Sequence, residues 1–60
     1  MPMQEGQAVK SCLSHCEVTL QDLQNLTNTV QDSQAKDELN QAVQSLNDCI
    51  QKCQNAASQL

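Results

Sequence analysis

The sequence predicts an all-α fold, an antiparallel two-helix hairpin, and three observations point to it. Apolar residues recur at alternating steps of three and four along both halves of the chain, the spacing of a helix that buries one stripe. The two stripes are mirror images of each other about the middle of the sequence. Neither glycine nor proline occurs after Gly6, so one short polar stretch is all that interrupts the pattern.

Helix one is expected over about residues 5–30, on the stripe Val9, Cys12, Cys16, Thr19, Leu23, Leu26 and Val30, with Thr19 its one polar member. The turn falls at 31–34, where Gln31-Asp32-Ser33-Gln34 breaks both stripes. Asp32 or Ser33 is placed to accept from the first free amides of the next helix, and Asp37 and Glu38 suit its positive end. Helix two is expected over about 35–58, on Ala35, Leu39, Ala42, Leu46, Cys49, Cys53, Ala56 and Leu60. Each helix of about 25 residues would reach roughly 37 Å.

Folding the chain between Asp32 and Ser33 sets Val9 against Ala56, Cys12 against Cys53 and Cys16 against Cys49. Thr19 then meets Leu46, Leu23 meets Ala42, Leu26 meets Leu39, and Val30 meets Ala35. Large faces small at Leu23 and Ala42, as interdigitating layers prefer. A second row flanks the first, made of Leu13 and Leu20 on helix one and Val43, Ile50 and Ala57 on helix two. A lone hairpin would leave this row wet. Self-association through it would complete a four-helix bundle, or a larger helical assembly, from copies of the same chain.

Composition limits what such a hairpin can do. Sixty residues make one small domain, 1–60, and without Phe, Tyr or Trp the core must come from Leu, Val, Ile, Ala and Cys. Chains of this size need a staple, a metal or a partner. A net charge of −4, with Lys10, Lys36 and Lys52 as the only fixed cations, leaves no basic stripe for nucleic acid or an anionic membrane. No apolar run is long enough for membrane insertion, and no secretory signal is visible, so an intracellular location is expected. Eleven Gln and five Asn, against 17% charged residues, give an amide-rich surface on which copies repel each other weakly.

Cys12-x-x-x-Cys16 and Cys49-x-x-x-Cys53 each place two sulfurs one helical turn apart. The mirror brings both pairs to the same height near the open end, where three chemistries compete. Two interhelical disulfides, Cys12–Cys53 and Cys16–Cys49, would staple the end that frays, the outer bridge contributing ~4 kcal/mol in the chain-entropy account. A metal site would hold copper or zinc through Cys12, Cys16, Cys49 and Cys53, with His15 as a further ligand or supporting donor and Met1 and Met3 as soft thioethers nearby. In the third, the cysteines simply pack as small hydrophobes. Paired Cys-x-x-x-Cys motifs of this kind resemble those of the α-hairpinin peptides and the small twin-motif mitochondrial proteins. That resemblance covers the motif, with a longer spacer here, and implies disulfide hairpins.

A second resemblance spans most of the chain. Val9-Lys10, Leu13, Leu23, Leu26, Gln34-Ala35-Lys36, Leu39, Gln41-Ala42 and Gln44 resemble the short helical proteins of spore-forming Firmicutes catalogued as domain of unknown function 1657. It runs without gaps from Val9 to about Cys53, and implies a spore-associated context and no catalysis. The four cysteines depart from that pattern, standing where the family usually has Leu, Ile or Thr.

No Ser/His/Asp constellation, carboxylate pair or phosphate loop occurs, and His15 has no acidic orienter except Glu17, on another face. The expected function is therefore that of a small non-enzymatic structural protein, a stapled hairpin that associates with itself. The alternatives are a metal-binding module and a hairpin that presents its amide-rich face to another protein.

Overall fold

The computed structural model describes residues 2–60, with side chains from Gln4 onward; Met1 and the Met3 side chain, expected to lie near the cysteines, fall outside it. Among the described residues there are two α-helices and no strand. Helix α1 spans Pro2–Thr29 and helix α2 spans Ser33–Gln59. The α1 helix begins three residues earlier than expected because Pro2 opens it, a position where the missing N–H of proline costs nothing and its fixed φ is already helical.

The connection is Val30-Gln31-Asp32, one residue shorter than expected. Val30 N–H donates to the Leu26 carbonyl at 3.0 Å and closes α1. Asp32 caps α2 from an extended backbone, φ −69° and ψ 122°, and its carbonyl accepts from Lys36 N–H at 2.9 Å. Its side chain makes no capping bond, so the carboxylate acts only through its charge near the helix N-terminus. Because α2 starts at Ser33, Asp37 and Glu38 fall in its second turn and not its first, where the helix dipole is weaker. No described residue has a positive φ, which explains how this turn forms without glycine.

The half-buried and buried positions define the seam between the helices. On α1 they are Gly6, Val9, Leu13, Cys16, Leu20, Leu23 and Thr27, followed by Val30 in the turn. On α2 they are Ala35 and then Lys36, Leu39, Val43, Leu46, Ile50, Cys53 and Ala57. From Gly6 and from Lys36 the steps alternate three and four throughout, the heptad spacing of two helices packed along their length. Folding one burial row onto the other sets Leu13 against Cys53, Cys16 against Ile50, Leu20 against Leu46, Leu23 against Val43, and Thr27 against Leu39.

This seam corrects the expected one by exchanging two rows. Val9, Cys16, Leu23, Val30, Ala35, Leu39, Leu46 and Cys53 belong to both. Leu13, Leu20, Val43, Ile50 and Ala57, expected on an outer face for self-association, lie between the helices instead. Cys12, Thr19, Leu26, Ala42, Cys49, Ala56 and the terminal Leu60, expected inside, are exposed. The reason is size: the row drawn inward contains two Leu, a Val and an Ile, whereas the row left outside is mostly Cys, Thr and Ala. Burying the bulkier row removes more apolar area from water, at about 25 cal/mol per Å².

The polar member of the seam is accordingly Thr27, only 6% exposed, and not Thr19. Its hydroxyl donates to the Leu23 carbonyl one turn back at 2.7 Å, which satisfies the donor and lets the residue sit inside. At the far end Leu60 N–H donates to the Ala57 carbonyl at 3.2 Å, and the Ser58 hydroxyl turns back to the Asn55 carbonyl at 3.0 Å. The resulting molecule is a rod, 47 × 15 × 10 Å, with a radius of gyration of 14.2 Å. A compact 60-residue domain would have about 10 Å.

Candidate functional site

Two outer flanks border the seam, and they differ in kind. In an antiparallel heptad pair, residues that precede corresponding seam positions on the two helices come to lie on the same side of the hairpin. One flank therefore gathers Cys12, Thr19 and Leu26 from α1 with Ala42, Cys49 and Ala56 from α2, all exposed and none charged. Leu26 keeps half of its surface in water. The opposite flank gathers Lys10, Glu17 and Gln24 with Asn40, Asn47 and Gln54.

The cysteines straddle the seam and the uncharged flank. Cys16 and Cys53 are half-buried in the seam, while Cys12 and Cys49 are exposed on the flank. All four are free thiols. They form two close pairs, each within its own helix, and no two sulfurs stand at disulfide-bonding distance. The expected bridges Cys12–Cys53 and Cys16–Cys49 are thus not in place. Each would have to join a flank sulfur to a seam sulfur, and the exchange of rows has moved those two off a common line.

The four thiols nevertheless share one neighbourhood. Partial burial pushes the Cys16 thiol above its ordinary pKa, and the neighbouring Cys12 thiol, then Cys49 and Cys53, push the same way. Cys53 is raised for the same leading reason, with Cys49 and then Cys12 adding to it. Influence across the helices in both directions puts the two pairs at the same height, as their mirrored positions require.

A tetrahedral shell is not assembled. Among the described residues no three of His, Cys, Asp and Glu are grouped so that they could hold a metal ion. His15 is exposed beside Cys16 and joins no such group. The four-cysteine site with His15 as an added ligand therefore does not exist in this arrangement, and what the helices do bring together is sulfur in twos.

Elsewhere the surface carries shallow grooves open to water. One of about 440 Å³ runs beside the seam and is lined by amides, including Gln24, Asn28 and Asn40. Another of about 590 Å³ lies over the start of α2 between Asp32, Asp37 and Glu38. Among the described residues no helix is long and apolar enough to cross a membrane. Comparison with known protein families, with curated proteins and with solved structures finds no match to this chain.

Proposed function

We propose that this chain is a small non-enzymatic assembly protein, a helical hairpin that pairs with further copies of itself through the flank of Cys12, Thr19, Leu26, Ala42, Cys49 and Ala56. The observation that carries this reading is the width of the apolar face. A helix in a two-stranded pair needs two apolar positions per heptad, whereas a helix facing the core of a four-helix bundle needs a third beside them. Both helices carry that third row, on the same side, uncharged from Cys12 to Ala56.

The burial achieved by one hairpin supports the same reading. Ile50 is the only buried apolar residue among those described, and no side chain is fully enclosed. A compact monomer of 6.6 kDa would expose ~3,900 Å². The hairpin exposes 4712 Å², and the excess is close to the ~800 Å² that one partner contributes to a standard protein interface. Small residues at Ala42, Ala56 and Thr19 let a second pair of helices approach closely, with Leu26 as the bulky knob. The surface grooves lie open to water and do not suit substrate enclosure, in keeping with a non-enzymatic role. The resemblance of the stretch from Val9 to about Cys53 to the spore-former family supports a spore-associated setting for the assembly.

Light scattering on the reduced chain tests this. The wild type is expected at a multiple of the 6.6 kDa chain mass, Leu26→Lys at the monomer mass, and Gln24→Lys, on the polar flank, at the wild-type mass. A wild type that stays monomeric up to millimolar concentration, or a Leu26→Lys variant of unchanged mass, overturns the proposal. Helical content by circular dichroism confirms that the variants remain folded.

A further inference from the structure

The sulfur pairs carry a second inference, which rests on the hairpin itself and not on its assembly. Cys12 and Cys16 are one turn apart on α1, Cys49 and Cys53 one turn apart on α2, and each pair is close in space. We propose that each Cys-x-x-x-Cys pair is a separate two-sulfur chelate for a soft, closed-shell monovalent cation, Cu(I), so that one chain takes two ions.

Coordination number decides between metals here. Zinc asks for four ligands in a tetrahedron, and the described residues offer no group of even three. Thiolate sulfur is the soft ligand that Cu(I) prefers, and a closed-shell monovalent ion is satisfied by two of them pointing at it from opposite sides. A pair on consecutive turns of one helix supplies that without moving either helix. The backbone has already fixed both Cβ positions, so little ordering remains to oppose binding. In the unassembled hairpin Cys12 and Cys49, exposed on the flank, provide the way in. Cys16 and Cys53, half-buried in the seam, then hold the ion where water and competing ligands reach it from one side only.

The step balances without any electron transfer. Two thiols lose their protons to solvent, two copper–sulfur bonds form, and each site changes from neutral to a net charge of −1. Two filled sites take the chain from −4 to −6.

The full chain, reduced and kept under argon, is titrated with Cu(I) in acetonitrile against bathocuproine disulfonate, with native mass spectrometry as the count of bound ions. Two ions per wild-type chain are expected, one in Cys12→Ser, one in Cys49→Ser and none in the double variant. The Leu26→Lys variant is expected to keep both ions, whatever its oligomeric mass, so this test and the assembly test fail separately. A single ion that disappears with any one cysteine would mean a four-sulfur site and overturn the proposal. So would two ions retained by the double variant, no uptake at all, or loss of both ions in a monomeric Leu26→Lys chain. Circular dichroism distinguishes a lost ligand from a lost fold in the serine variants.

Discussion

The two flanks of the hairpin are built on the same helices, stand at equal distance from the seam and are both exposed, yet they carry opposite chemistry. One presents Lys10, Glu17, Gln24, Asn40, Asn47 and Gln54; the other presents Cys12, Thr19, Leu26, Ala42, Cys49 and Ala56. A hairpin that needed nothing beyond its own seam would have no reason to distinguish them, since water is equally well served by polar residues on both sides. The difference shows that a wide apolar face has been divided in two. Its bulkier part is used within the chain, and its smaller, sulfur-bearing part is left available. In the proposed chelate thiols gain a role there that alanine would lack, because in the unassembled hairpin a flank cysteine is reachable from solution while its partner one turn away lies half-buried in the seam.

Substitutions on adjacent residues break that division most sharply. Ile50 is 8% exposed and its neighbour Cys49 is exposed on the flank. Ile50→Ala removes buried methyl groups from the middle of the seam, a change that typically costs 2–5 kcal/mol; the open edges of a two-helix pair allow collapse, so about 2–3 kcal/mol is expected here. That is most of what a chain of this size has, ~3–5 kcal/mol in total. Urea denaturation followed by circular dichroism should therefore find Ile50→Ala left with only about 1–2 kcal/mol of stability and unfolding at a far lower urea concentration than the wild type. Cys49→Ala, one residue away, should change the stability by less than about 0.5 kcal/mol. Equal effects at the two positions would mean that the seam has been placed one row off.

The hairpin itself was legible in the sequence, and the reason the seam was not lies in how little separates the two rows. Val9, Cys16, Leu23, Leu39, Leu46 and Cys53 belong to the seam whichever neighbour row joins them, so periodicity alone fixed the helices and their antiparallel mirror. The choice between the row of Leu13, Leu20, Val43 and Ile50 and the row of Cys12, Thr19, Leu26 and Ala42 depends on buried volume. A count of apolar letters ranks the rows by number, and the mirror symmetry favours the smaller one equally. Weighing side-chain size would have found the right row, and with it Thr27, whose hydroxyl is silenced by the Leu23 carbonyl. The cysteines were legible as a cluster. Their pairing within each helix was legible from the four-residue spacing; that no sulfur of one helix stands at bonding distance from the other follows from the row exchange and could not be read before it.

A smaller effect sharpens the contrast between the two threonines. Thr27 is buried with its hydroxyl bonded to a carbonyl that already receives the helix's own N–H, while Thr19 sits exposed on the flank. Thr27→Val keeps the shape, replaces the hydroxyl with a methyl and leaves no acceptor unpaired, the case in which removing a hydrogen bond is neutral or favourable. A gain of about 0.5–1 kcal/mol in stability is expected from urea denaturation, roughly the transfer free energy of one buried methyl. Thr19→Val should change the monomer's stability by less than that and act on association instead. A loss at Thr27 would mean that its hydroxyl serves a partner beyond the Leu23 carbonyl.

The smallest expected effect separates the seam thiols from the flank thiols by pH. Burial is the leading reason the Cys16 and Cys53 thiols titrate above the ordinary value of 9.0. In the unfolded chain those thiols lose their protons first, so between the ordinary and the raised value the native state holds more protons than the unfolded one. Stability then falls as pH rises. The contribution is fully present below about pH 9 and is lost as pH climbs through the raised values. Partial exposure keeps it small. Urea midpoints of the reduced chain should be flat across neutral pH on this account and decline above pH 9, and Cys16→Ser with Cys53→Ser should remove that part of the decline. Cys12→Ser with Cys49→Ser should reduce it by less, because these two act on the seam thiols only as neighbours and the burial of Cys16 and Cys53 is unchanged. A decline unaltered by the seam substitutions would assign it to other groups and return Cys16 and Cys53 to the solvent side of the comparison.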